Sequence, residues 1–186
     1  MNNIIIADTK EQVLKPVYLD QVNIQNVYLM IGIIGSGKSS WAKDKVRTND
    51  NTVIINRDSL RYMINGGEYI FDEKYEKMIK FSTYSCLRHA IEAKFDVIID
   101  ESNISMEKRM VWLDVINYSI TPNIVKVTYV WCTETERNLD LRMRTPKGQS
   151  REKWEEVYNG MIEVFEPPTI DELPPNGDII QYRIGV

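Results

Sequence analysis

The chain has one histidine and two cysteines among its 186 residues, and each scarcity closes off a class of chemistry. With His89 alone there is no histidine-rich metal centre, so acid–base work falls to carboxylates. Cys86 and Cys132 stand far apart with no second thiol near either, which excludes a disulfide framework and a zinc ribbon. Both thiols are expected to be reduced and mostly buried. His89, in the helical stretch "CLRHAIEA", is expected to be a partly buried helix residue. Long apolar runs are missing, so nothing has the length to span a bilayer. The opening "MNNIIIADTKEQV" carries acids where a leader peptide carries bases; the expectation is a cytoplasmic chain, one domain with a core of its own. A basic excess is absent as well: 23 Lys and Arg face 27 Asp and Glu, a net charge of −4. Dedicated nucleic-acid binders are basic. Any contact with nucleic acid is therefore expected to be a local patch.

What is present is an alternation. Short β-rich runs at "VYLMIG", "TVIIN", "FDVIID", "IVKVTYVW" and "GDIIQYRIG" are separated by helical stretches at "KSSWAKDKV", "DEKYEKMIKFSTYSCLRHAIEAK", "MEKRMVWLDVINYS" and "REKWEEVYNGMIEVF". Such alternation predicts an α/β fold, a parallel five-stranded sheet flanked by helices. In sheets of this kind the ligand site gathers at the carboxyl ends of the strands. Residues 1–26 do not follow the alternation. "NIIIAD" and "PVYLDQVNI" there suit a hairpin or extra edge strands, and the domain proper is placed at 27–186.

The stretch "GIIGSGKSS" follows the first β-run and opens the first helix. Gly32, Gly37, Lys38 and Ser39 complete the G-x-x-x-x-G-K-[ST] spacing of a phosphate-binding loop, with Gly35 inside it. The glycines let backbone N–H groups of Gly35, Ser36, Gly37, Lys38, Ser39 and Ser40 turn toward phosphate oxygens at a helix N-terminus. Lys38 is expected to reach the β- and γ-phosphates of ATP, and the Ser39 hydroxyl to sit on Mg²⁺.

Phosphoryl transfer also needs a carboxylate beside the acceptor hydroxyl. Asp58 in "INRDSLR" follows the second strand, which is expected to neighbour the loop, and Arg61 at i+3 shares its helix face. Two readings stand on spacing alone: Asp58 caps the helix "SLRYMI", or it pairs with Arg61 to take an acceptor carrying a hydroxyl and a phosphate. The third strand ends in "VIIDESN", where Asp100 or Glu101 is expected to hold Mg²⁺ through water. Asn103 is expected to orient the second carboxylate or the nucleotide. Arg109 on the next helix is either a surface residue or an acceptor contact. After the fourth strand, Arg137, Arg142, Arg144, Lys147, Arg151 and Lys153 gather around Pro146 and Gly148. They read as a solvated face or as a helical lid that brings arginines to the transition state.

Together, "GIIGSGKSSWA", "INRDSLR", "VIIDESNISMEKR", "ERNLDLRMR" and "FEPPTIDE" resemble, in order over residues 27–186, the P-loop kinase domain of phage-type polynucleotide 5′-kinases. The resemblance implies a kinase-type P-loop NTPase fold with ATP and Mg²⁺ as cofactors and a nucleic-acid 5′ end as partner. It makes Asp58 the general base toward a 5′-hydroxyl and Arg61 the contact to the neighbouring phosphate. By register it also makes Glu101 the acceptor-side carboxylate, where the family has aspartate. The family's lid arginine falls on Leu141 here, so its role passes to Arg142 or Arg144. No D-x-D-x-T phosphatase signature is present. Related folds also phosphorylate small metabolites such as gluconate and shikimate, or antibiotics, and some P-loop modules only bind nucleotide.

Overall fold

The structure, a computed structural model, describes residues 24–119, 125–133 and 150–183. Five strands form one sheet: β1 (Gln25–Ile31), β2 (Thr52–Ile55), β3 (Asp96–Ile99), β4 (Val125–Cys132) and β5 (Asp178–Tyr182), in the spatial order β2-β3-β1-β4-β5. Every pairing is parallel, with Val27 opposite Val97 in β3 and Val127 in β4. The helices are α1 (Lys38–Thr48), α2 (Arg57–Ile64), α3 (Glu73–Glu92), α4 (Met106–Ser119) and α5 (Arg151–Glu163). A short 3₁₀ turn covers Ile170–Glu172. No helix among the described residues is long and apolar enough to cross a membrane.

Period-two alternation along β1 assigns the two faces of the sheet. Val27, Leu29 and Ile31 join Val97, Ile99 and Tyr129 beneath Leu87 and Ile91 of α3 and Trp112, Leu113 and Ile116 of α4. Met30 faces the other way, with Ile98, Val130 and Cys132 against Ala42 of α1. β1 and β3 are covered on both sides, which is why they read as apolar runs.

Three contacts tie the C-terminal segment to the start of α4 and to β4. The Glu166 carboxylate accepts the N–H of Met106 at the start of α4, and the Glu166 N–H donates to Ile104 O at 2.8 Å. Phe165 stacks on Trp131 with centroids 6.2 Å apart. The segment "FEPPTIDE" is thus a clamp across the ends of β4 and α4.

Three expectations are corrected. β1 begins at Gln25, two residues before the expected boundary. The second strand does not neighbour the loop strand, because β3 lies between them; α2 instead brings its residues toward the loop across the end of β3. Cys86 and His89 are both exposed on α3, and His89 Nδ1 lies 3.2 Å from Glu92. Only Cys132 is buried. The remainder of the N-terminal extension, residues 1–23, and the proposed lid with Arg137, Arg142, Arg144 and Lys147 lie outside the described residues.

Candidate active site

The turn from β1 into α1 is shaped by its glycines. Gly32 has φ 149°, and a Cβ there would stand 2.5 Å from Ser36 Oγ and 2.6 Å from Cys132 O. Gly35 (φ 77°) and Gly37 (φ 95°) adopt the left-handed region that side chains resist. Gly37 is the N-cap of α1, and no side chain caps that helix, so its first N–H groups are left for a ligand. Lys38 Nζ donates to Gly32 O at 2.9 Å and to Ile33 O at 2.7 Å, folding back along the loop. Ser36 is wholly buried, whereas Ser39 and Ser40 are exposed at the mouth. Behind the loop, burial pushes the Cys132 thiol up to about 12; nearby Lys38 opposes that and Asp100 adds to it.

At the start of α2 the capping alternative for Asp58 falls away. Asn56 is the N-cap of α2, its side chain accepting from Ser59 N at 2.9 Å. Asp58 is left to pair: its Oδ1 accepts from Arg61 Nη1 at 2.7 Å. The remaining edge of the Arg61 guanidinium forks onto Glu76, Nε to Oε1 at 2.8 Å and Nη2 to Oε2 at 2.7 Å. These bonds hold Arg61 above its ordinary pKa although burial opposes them. Three of five N–H donors are so engaged, and the cation also stands over the rings of Tyr69 and Phe71, at 5.9 and 5.2 Å. Burial, and then the Asp58 charge, push the Tyr69 phenol up to about 12, with a hydrogen bond to Asp58 contributing. The base candidate is therefore fixed by an arginine and a tyrosine.

At the end of β3, Asp100 is buried and its carbonyl accepts from Asn56 Nδ2 at 2.6 Å. Glu101 Oε1 accepts from Arg57 N at 2.8 Å and lies 3.7 Å from Arg57 Nε. Burial raises the Glu101 pKa, while Arg57 opposes the rise. Two sequence-based roles change here. Asn103, at φ 45°, donates to Met30 O at 2.8 Å and accepts from Trp112 Nε1 at 3.0 Å, so its amide ties the turn after β3 to β1 and α4 instead of orienting a carboxylate, while the residue still lines the cavity beside the loop. Arg109 is neither a surface residue nor an acceptor contact. It is fully buried, forks onto Glu172 at 2.6 and 2.9 Å, and donates to the carbonyls of Asn103 and Glu166. An arginine inside a helix gave no warning of a partner 63 residues away.

These groups meet in one cavity of about 990 Å³ at the carboxyl edge of the sheet. Lys38, Arg57, Arg61, Lys80, Lys108 and Lys153 line it together with Asp58, Asp100, Glu101 and Glu107. Tyr69, Phe71, Tyr84, Trp112 and Trp154 supply aromatic surface. Of these, sequence reasoning missed Arg57, Tyr69, Phe71, Lys80, Tyr84, Glu107, Lys108, Trp112 and Trp154. The adjacency of Arg57 to the "NRD" acid was the one available signal. Arg151 pairs with Glu155 at 3.0 Å and Lys153 with Glu156 at 2.8 Å, so the start of α5 is an exposed ion-paired face. Among the described residues no group of three or more His, Cys, Asp or Glu forms a metal cage. The exposed Ser39 hydroxyl and the Asp100 carboxylate are oxygen donors in that same cavity. They fit Mg²⁺, which takes one or two protein oxygens and completes its shell with water and substrate phosphates.

A glycine loop between strand and helix, its lysine folded along it, and a carboxylate–arginine pair across the same cavity define a nucleotide-binding P-loop domain of the kinase type. The family described as an AAA domain matches residues 27–168, and the chain belongs to it. An L-seryl-tRNA(Sec) kinase of Methanococcus maripaludis is 27% identical over 144 residues, which are 75% of this chain and 52% of that protein. The chain thus spans about half the length of that curated relative. Among solved structures, a fungal RNA kinase has the same fold (TM-score 0.61, 14% identity), the match covering 89% of this chain and 76% of that one. A chain of the Pnkp1/Rnl/Hen1 RNA repair complex does too (TM-score 0.57, 23% identity), over 77% of this chain and 47% of that one.

Proposed function

We propose that this chain is a kinase that transfers the γ-phosphoryl group of ATP to the 5′-hydroxyl of a polynucleotide. The observation that carries the reading is the Asp58–Arg61 pair, 2.7 Å apart, in the cavity that also holds Lys38 and Ser39. Asp58 accepts the proton of the acceptor hydroxyl as its oxygen attacks the γ-phosphorus and the bond to the β–γ bridging oxygen breaks. Arg61 positions the acceptor by the phosphate next to that hydroxyl, using the N–H groups that Asp58 and Glu76 leave. Arg57 and Glu101 flank the acceptor. Lys38 turns from the loop carbonyls to the β- and γ-phosphates, and a lid arginine, Arg142 or Arg144, adds charge to the transferring group. Ser39 and Asp100 would hold Mg²⁺, which when bound offsets the negative charge of the phosphates. RNA-directed kinases among the similar proteins support the choice of acceptor.

The test is transfer of labelled γ-phosphate to a short 5′-hydroxyl oligonucleotide, beside its 5′-phosphorylated twin and a panel of hydroxylated metabolites. Label on the 5′-hydroxyl oligonucleotide alone is the expected result. Label on a metabolite alone replaces the acceptor, and ATP binding without transfer reduces the chain to a nucleotide-binding module.

A further inference from the structure

Six basic side chains face four acidic ones in the cavity, within a chain of net charge −4. Lys38, Arg57, Arg61 and Lys153 are accounted for by the loop, Glu101, the Asp58–Glu76 pair and Glu156. None of the ion pairs described above engages Lys80 or Lys108. Their placement is regular. Tyr84 of α3 and Trp112 of α4 pack edge to face, centroids 5.0 Å apart at 84°, and each has a lysine four residues before it, one turn toward its helix N-terminus. Both helices pack on one face of the parallel sheet and begin at its carboxyl edge, so both lysines stand toward the cavity mouth, above the aromatic pair. Both are exposed, and Lys80 Nζ lies 5.8 Å above the Tyr84 ring. Nearby, Phe71 lines the same cavity while 64% exposed, its ring in contact with the Arg61 guanidinium at 5.2 Å and otherwise accessible to a base. Cations that track a backbone beside exposed aromatic faces suit a single strand, whose bases are free to stack.

We infer that Lys80 and Lys108 form a second phosphate subsite, holding internucleotide phosphates of a single-stranded acceptor beyond the phosphate next to the reacting hydroxyl. The inference rests on the polynucleotide reading and adds to it a length requirement: an acceptor with one phosphate reaches Arg61 and falls short of the lysines. Steady-state transfer is measured for the wild-type chain with a nucleoside 3′-monophosphate and with a 5′-hydroxyl oligonucleotide several residues long, over a range of salt. The double variant Lys80→Ala with Lys108→Ala is expected to raise KM for the oligonucleotide and leave the mononucleotide unchanged. Its plot of log kcat/KM against log salt should flatten by about 1.4, two contacts at about 0.7 each for a single strand. Lys80→Arg with Lys108→Arg should restore both. An oligonucleotide KM and salt slope equal to wild type would overturn the subsite, as would equal damage to both acceptors, which marks a structural role. Failure of the polynucleotide reading looks different, because the wild type then labels neither acceptor.

Discussion

At the scale of single residues the site divides by what each carboxylate touches. Asp58 is held by Arg61 and Tyr69, a geometry that aims a proton acceptor without neutralising it. Asp58→Asn keeps the shape and removes the basicity. Transfer should fall by about 10²- to 10⁴-fold, the usual worth of a positioned base, with ATP affinity unchanged in a titration. Glu101 behaves differently, because burial raises its pKa. A carboxyl whose folded pKa lies above the unfolded value binds its proton more tightly when folded. Its contribution is most favourable at low pH and is lost as pH rises through the folded pKa. Glu101→Gln keeps an acceptor for Arg57 N and escapes that loss. Its Tm should exceed that of wild type at pH 7–8, with the gain vanishing near pH 4 in a thermal melt series. If transfer falls in the same variant, Glu101 trades stability for a role toward the acceptor. The loop lysine was legible because its glycine motif is local, and the pairing of Asp58 with Arg61 because i and i+3 share a helix face; the route that brings α2 to the loop was not, since β3 lies between β2 and β1. Tyr84, Trp112 and Lys80 were not, since helix packing alone brings them to the cavity.

At the scale of elements, β1 to β4 were legible to within two residues because buried β-branched runs admit few other readings, whereas the stretch expected for the mostly exposed edge strand β5 runs past its end at Tyr182; α4 was legible to its ends. The start of α2 was displaced: Asn56 and Asp58 are both good caps, and only the hydrogen bond to Ser59 N decides between them. The role of the C-terminal segment was hidden for a further reason. Its attachment is an ion pair, Arg109 with Glu172, buried to 0 and 3% side-chain exposure, and no local pattern announces a charge bound for the core. Burial works to raise the Glu172 carboxyl, but the Arg109 guanidinium and the Thr169 N–H override it and hold the pKa below the ordinary range. That stability is present above the unfolded pKa and is lost as pH falls through the folded one. Removing one member strands the other charge, at about 3–5 kcal/mol. Glu172→Leu and Arg109→Met should each destabilise by about that amount in urea unfolding, whereas the double variant should cost much less than their sum. Strict additivity would mean that the two side chains do not act as a pair.

For the whole molecule, the sheet order places β1 between β3 and β4, so the loop, the acids of β3 and the start of α2 converge on one edge. A ligand bound there touches elements from both sides of the sheet and stabilises the fold as a unit. A ligand that binds only the folded chain at about one hundred times its Kd adds about 2.7 kcal/mol. For a chain of this size about 2–4 °C accompanies each kcal/mol, so saturating ATP with Mg²⁺ should raise Tm by about 5–10 °C. Lys38→Met should abolish the shift, because it removes the cation proposed to meet the phosphates. Asp58→Asn should keep it whole, since the role proposed for that side chain is toward the acceptor. The pair of melts separates nucleotide binding from transfer without any acceptor in the tube. A shift lost in both variants would mean that Asp58 supports the nucleotide side of the cavity, and the division of labour between α1 and α2 would have to be redrawn.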